Sequence, residues 1–316
     1  MSKPFVFFGT ATALVTPFTA DGSVDFEALD RLLDYQLEGG IDGLVPTGST
    51  GESATLSVKE KLHIFEHVLQ KVNGRVPVIA GTGSNNTQAT IELTKEAARL
   101  GVNAALIVCP YYNKPTQEGI IAHYKAIAEA VDLPIILYNV PGRTAVNMTA
   151  ETQLRLAEEC ENIIGTKEAS GNLEQMMEII RSAPSGFVVL SGDDALTLPL
   201  IAVGGKGVIS VISNYAPKAF SDMVRFALED DFHRARTIHC HLLPLMRLNF
   251  IESNPIPVKA ALAMMGLIQE QYRLPLTPMK PENRQKLQQA LIAAGYLPAD
   301  TPQSPSPPPP SGCGTD

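Results

Sequence analysis

The sequence predicts an α/β protein, a closed (β/α)8 TIM barrel followed by a C-terminal helical extension. Three observations lead there. Eight short runs of apolar and β-branched residues recur, at 11–15, 43–46, 76–80, 104–109, 134–138, 163–166, 188–190 and 207–211. Stretches with helical periodicity lie between them, clearest at 26–37 and 58–72. The runs are continuously apolar rather than alternating, which marks strands covered on both faces of a parallel sheet. Eight βα units within about 220 residues fit a closed barrel better than an open, doubly wound sheet.

Each element has its own local reason. The helix over 26–37 follows Asp25, a side chain that caps a helix start. Ser57 does the same for 58–72, whose apolar stripe is read as Val58, Leu62, Phe65, Leu69 and Val72. Thr149, with Thr152 three residues on, and Asn172 open two further helices. After the eighth run only helical patterns remain, at 217–229, 232–250, 257–266 and 281–294. The division is therefore a barrel over 1–230 and a helical extension over 231–297. Residues 298–316 hold seven of the 24 prolines and almost no apolar side chain. They are expected to form a disordered, Pro-rich tail.

Composition excludes several functions. With 25 Lys+Arg against 33 Asp+Glu the 316-residue chain carries a net charge of −8 and no long basic run. Nucleic acid and anionic membrane surfaces are disfavoured as partners. No run approaches the ~18 apolar residues of a membrane span, and the apolar run at 5–8 is too short for a secretory signal. Cys109, Cys160, Cys240 and Cys313 form no CxxC pair and read as free thiols in a reducing, cytoplasmic compartment. The pair Gly81 and Gly83 fails the dinucleotide pattern, because Asn86 stands where its last glycine belongs. Gly205-Lys206-Gly207 lacks the spacing of a P-loop. His63-Ile64-Phe65-Glu66-His67 matches a zinc-protease pattern, but the stripe leaves both histidines on its flank. His239 and His241 lie two apart on a helix and point in different directions. No metal site is expected.

A barrel of this kind places its chemistry where the strands end. The second run ends in Thr47-Gly48-Ser49-Thr50-Gly51-Glu52-Ser53, and the fourth in Pro110-Tyr111-Tyr112-Asn113. The fifth ends in Tyr138-Asn139-Val140-Pro141-Gly142-Arg143, the sixth in Lys167-Glu168-Ala169-Ser170-Gly171, and the seventh in Ser191-Gly192-Asp193-Asp194. Lys167 ends an apolar run, so it projects into the barrel mouth. Burial there favours the neutral amine, the form that attacks a carbonyl. The competing reading has Lys167 snorkelling outward or pairing with Glu168. Tyr138, one strand away, could carry protons to and from an imine, and Arg143 could hold a carboxylate bidentately. Hydroxyls and amides of Ser49, Thr50 and Gly51 could hold a second carboxylate. Together these groups describe Schiff-base chemistry on a keto acid.

On these motifs, together with Gly207-Val208-Ile209-Ser210 and Asn254-Pro255-Ile256-Pro257-Val258-Lys259, the chain resembles the pyruvate-dependent class I aldolases and lyases. The likeness covers residues 7–295 and is strongest to the dihydrodipicolinate synthase branch. It implies an imine between Lys167 and pyruvate, with no other cofactor. The derived enamine then attacks L-aspartate 4-semialdehyde, giving 4-hydroxy-tetrahydrodipicolinate on the way to lysine and diaminopimelate. Tyr138 would be the proton shuttle, relayed through Ser49 to Tyr112 reaching over from a neighbouring subunit. Thr50 and Gly51 would hold the pyruvate carboxylate, Gly192 and Ile209 would line the site, and Arg143 would orient the semialdehyde. A homo-oligomer follows, by resemblance a tetramer built from dimers. Ser49 replaces the usual threonine of this branch and matches the N-acetylneuraminate lyases, the nearest alternative along with other 2-keto acid aldolases. Arg143 argues back toward the synthases. A keto-acid-binding regulatory protein would not need the nucleophile. Lysine-inhibited members carry an acid at the position of Ala89 and often histidines at those of Val58 and Lys61. Weak or absent lysine inhibition is therefore expected.

Overall fold

The computed structural model describes residues 5–299. Eight parallel strands run β1 (Gly9–Ala13), β2 (Gly43–Val45), β3 (Ile79–Gly81), β4 (Ala104–Val108), β5 (Ile135–Asn139), β6 (Ile163–Glu168), β7 (Val188–Ser191) and β8 (Gly207–Ser210). They are ordered β2-β1-β8-β7-β6-β5-β4-β3, and a parallel bridge between Leu44 and Val78 joins the two ends. The result is the predicted TIM barrel, with helices outside it and the helices Phe232–Leu248, Ile256–Met264 and Pro281–Ala293 beyond.

Every strand differs from the sequence reading by one to three residues at one or both ends, and the starts of β1 and β3 move most. β1 begins at Gly9, where Gly9 and Thr10 pair with Gly207 and Val208. A Cβ on Gly207 would meet the Gly9 carbonyl oxygen at 2.0 Å, so this close approach needs glycine there. β3 starts only at Ile79, because Pro77 has no N–H for a ladder. The proline-rich tail beyond residue 299 lies outside the described residues.

The helix Val58–Val72 has the predicted bounds and a full capping box between Ser57 and Glu60. Its buried stripe differs from the expected one. Ile64, Phe65, Val68 and Val72 face the core, Leu62 and Leu69 flank it, and Val58 is 58% exposed. Both sets of spacings fit a 3.6-residue period, and periodicity alone does not choose the centre of the stripe.

Strand alternation sorts the core into two layers. Phe7, Ala11, Val45, Ile79, Leu106, Ile136, Tyr138, Leu190 and Ile209 belong to the cluster inside the barrel. A larger cluster fills the space between strands and helices and runs on into the C-terminal helices. Phe7 packs at the start of β2, where a Cβ on Gly43 would come within 2.7 Å of its ring. This plug leaves the opposite end of the barrel for a site. Among the described residues no helix is long and apolar enough to cross a membrane.

Candidate active site

A cavity of about 410 Å³ opens at the C-terminal ends of the strands, and Ser49, Tyr111, Tyr138, Arg143 and Asn254 are among its walls. The loop after β2 forms one side. Thr47 and Glu52 both adopt left-handed conformations, at φ 54° and 53°. Gly51 between them leaves no room for a Cβ, which would lie 3.0 Å from both the Leu14 carbonyl oxygen and the Thr47 nitrogen. The loop is held from outside as well. Thr16 Oγ1 donates to the Gly51 carbonyl at 2.7 Å, and Thr47 Oγ1 to the Gly81 carbonyl at 3.0 Å. Asn254 Nδ2 donates to Thr50 Oγ1 at 2.9 Å.

Tyr138 on β5 and Lys167 on β6 are register partners, so consecutive strands bring them side by side. Both are buried, at 7% and 5% exposed, and Lys167 Nζ sits 4.3 Å from the centroid of the Tyr138 ring. Lys167 therefore does not snorkel outward. Nor does it pair with Glu168, whose side chain leaves the other face of β6. Glu168 instead accepts from Asn139 Nδ2, Gln153 Nε2, Gln175 Nε2 and the Ser170 amide, all between 2.8 and 3.1 Å. The competing reading of Lys167 fails because strand alternation separates the two residues.

Ser49, Tyr138 and Arg143 thus face one cavity. Arg143 lies on the short helix Pro141–Thr144, and its Nη2 donates to the Asn254 carbonyl at 3.0 Å. Thr50 and Gly51 are buried within the loop. Ile209 shares the interior cluster with Tyr138, and the Gly192 amide donates to the Glu168 carbonyl at 2.8 Å. Tyr112 stands apart. It is 89% exposed, at φ 71°, and its neighbour Tyr111 lines the cavity instead.

Four further residues contribute to the site in ways that the sequence did not assign. Asn254 touches Thr50 with its side chain and Arg143 with its backbone. Glu52 and Lys259 form an ion pair at 2.5 Å with both side chains fully buried. Lys61 lines the cavity, and burial pulls its ammonium below the usual lysine range. Asn254 and Lys259 stand in a motif quoted above, but nothing in their spacing tells which side chains turn toward the barrel mouth.

No group of three metal-ligating side chains occurs among the described residues. His67 Nε2 lies 2.8 Å from Asp30, and the rings of His63 and His67 rest on Phe26. Cys109, Cys160 and Cys240 are free, and burial pushes the Cys109 thiol up to about 12, away from the reactive thiolate. Cys313 lies outside the described residues.

Comparison with known proteins places these features in a family. The model of the dihydrodipicolinate synthetase family matches residues 6–294. A 4-hydroxy-tetrahydrodipicolinate synthase of Koribacter versatilis is 58% identical over 290 residues, 92% of this chain and 96% of that one. The solved structure of a chloride-inhibited dihydrodipicolinate synthase from Acinetobacter baumannii, complexed with pyruvate, is 47% identical with a TM-score of 0.90. The match covers 92% of this chain and 99% of that one. A monomeric dihydrodipicolinate synthase variant is 44% identical at the same TM-score, covering 92% and 98%.

Proposed function

The chain belongs to the dihydrodipicolinate synthetase family, and from that premise we propose that it condenses pyruvate with L-aspartate 4-semialdehyde through an imine on Lys167. The product is 4-hydroxy-tetrahydrodipicolinate, an early intermediate of lysine and diaminopimelate biosynthesis. The observation that carries this reading is the buried Lys167–Tyr138 pair at the mouth of the barrel. An amine nucleophile and a phenol that can move protons stand on adjacent strand ends, with Arg143 and the loop hydroxyls nearby.

The steps follow from those positions. Lys167 Nζ adds to the pyruvate ketone and water leaves, forming the imine. The imine draws electrons from the methyl carbon, whose proton departs, and an enamine results. Its carbon attacks the aldehyde carbon, and the new alkoxide takes a proton. The semialdehyde's own amine then attacks the imine carbon and displaces Lys167, closing the ring. Tyr138 moves the protons, passed through Ser49 to Tyr112 of a neighbouring subunit. Thr50 and Gly51 hold the pyruvate carboxylate, Arg143 orients that of the semialdehyde, and Gly192 and Ile209 shape the wall. No cofactor beyond the covalent imine takes part. The exposure of Tyr112 supports this inter-subunit role and a tetramer of paired dimers, and the buried free thiols support a cytoplasmic setting.

Borohydride reduction in the presence of pyruvate, followed by peptide mass analysis, tests the imine. We expect an adduct on Lys167. Turnover with aspartate semialdehyde rather than N-acetylneuraminate then separates this reading from the lyase reading, which Ser49 favours. Absence of an adduct, or turnover of the sugar acid alone, would overturn the proposal.

A further inference from the structure

The Glu52–Lys259 pair joins the cavity loop to a helix that begins more than two hundred residues later. Lys259 Nζ lies 2.5 Å from Glu52 Oε1 and donates to the Thr16 carbonyl at 3.0 Å. It also sits 4.3 Å from the centroid of the Phe18 ring and 5.3 Å from that of Tyr272. The second carboxylate oxygen, Glu52 Oε2, accepts from the Arg273 amide at 3.2 Å. Both carboxylate oxygens and two of the three ammonium protons therefore find partners inside the protein.

Such a pair is a poor device for stability alone. Removing two charges from water costs about as much as their attraction returns, and well-packed apolar residues often do as well. Its effect on geometry is more specific. The loop is bounded by two non-glycine residues in left-handed conformations, which persist only where the surroundings over-determine them. Glu52 is the second of these, and its amide donates to the Ser49 carbonyl at 3.2 Å. The side chain that Lys259 grips is thus tied by its own backbone to the residues facing the cavity. Asn254, just before the same helix Ile256–Met264, grips Thr50.

We propose that Lys259, acting through Glu52, is a positioning residue that fixes the 47–52 loop, so that the C-terminal extension sets the affinity of the site for the substrate carboxylate. Fully buried, Lys259 touches no substrate. The proposal rests on the assignment above of the loop as the pyruvate carboxylate site.

The test uses the full-length chain. Lys259→Met alone strands a buried carboxylate and is expected to fold poorly. The double variant Glu52→Gln with Lys259→Met removes both charges, and its thermal midpoint should return to within about 5 °C of the parent. Its KM for pyruvate should nevertheless rise about ten-fold or more, while kcat at saturating pyruvate falls less than about three-fold. Glu52→Asp keeps both charges but shortens the grip by one methylene, and should raise the same KM. A folded double variant, or a folded Glu52→Asp protein, with the parental KM for pyruvate overturns the proposal. So does a loss confined to kcat. If the parent traps no adduct on Lys167, the functional reading has failed instead. Calorimetric titration of pyruvate into parent and variants then tests the loop directly, with weaker binding by the variants expected and equal binding refuting it.

Discussion

Burial of His123 should make the protein lose stability in mild acid in a way that one substitution removes. The imidazole, on the helix Gln117–Ala130, is 6% exposed. Its Nδ1 lies 2.9 Å from Thr87 Oγ1, and its Nε2 is buried without a partner. Desolvation penalises the imidazolium and holds the folded-state pKa down at about 4, against 6.5 in the unfolded chain. Folding therefore excludes a proton that the unfolded chain binds. The stabilisation is complete above about 6.5 and is lost as pH falls toward about 4. Linkage over that shift gives a loss of about 2 kcal/mol between pH 7 and pH 5. Asp194 works in the opposite direction. Burial pushes its carboxyl up to about 6, so the folded state takes up a proton first and gains stability as pH falls through the same range. The parent alone will consequently show a muted response, and the informative quantity is its difference from His123→Phe. That variant keeps Asp194 but cannot titrate at position 123. Its melting temperature relative to the parent should rise by about 4 °C on going from pH 7 to pH 5, measured in matched buffers at one protein concentration. A change below about 1 °C in that difference would refute the reasoning.

Three further outcomes are expected. Tyr138→Phe should lower kcat about 100-fold or more while borohydride still traps pyruvate on Lys167, and a parental kcat would remove Tyr138 from the proton path. Tyr112→Ala should cost activity at least about ten-fold only if a neighbouring subunit supplies it, so a protein that sediments as a fully active monomer contradicts the inter-subunit role. L-Lysine titrated at saturating pyruvate should not inhibit in the micromolar range, and inhibition there would show that the effector's ammonium finds a partner other than the acid Ala89 replaces.

What could be read from the sequence follows from how the barrel is built. Strands covered on both faces are mostly apolar or β-branched, so all eight runs stand out, while the bounds of every strand move by one to three residues because polar residues such as Lys167 and Glu168 also join the ladder. The Lys167–Tyr138 pair was accessible because consecutive strands of the barrel lie side by side, so residues ending the fifth and sixth runs must meet. Alternation then decides between Lys167 and Glu168, but only once strand direction and inner face are known. Where regular structure ends, that rule fails. Tyr111 and Tyr112 differ by one position in a loop, and a left-handed residue there determines which ring faces the cavity. Asn254 and Lys259 were hidden for another reason. Helix periodicity shows that the segment packs on the barrel, but not which polar side chain passes beneath the rim to meet a loop from the other end of the chain.

The charge of the molecule is where sequence totals mislead most. A net charge of −8 suggests a surface that repels carboxylates, yet both proposed substrates carry one. Charges on the exposed surface are screened within about 8 Å at physiological salt, so the cavity responds mainly to its own walls. Glu52 is the one acidic residue among the described residues lining it, and its carboxylate is answered by Lys259 on one oxygen and the Arg273 amide on the other. The cationic groups in its walls are then Arg143 and Lys61, which set the local field together with Lys167 beside Tyr138. Lys61 is partly desolvated, and no carboxylate among the described residues lies within ion-pairing distance of it, so its attraction for an anion is weakened less by water than that of a surface lysine. The same ammonium repels a cationic amino acid approaching that wall. Affinity for carboxylate substrates and indifference to lysine would then share one electrostatic cause. Lys61→Gln separates them from loop geometry, because it alters the field without touching Glu52, Thr50 or Asn254.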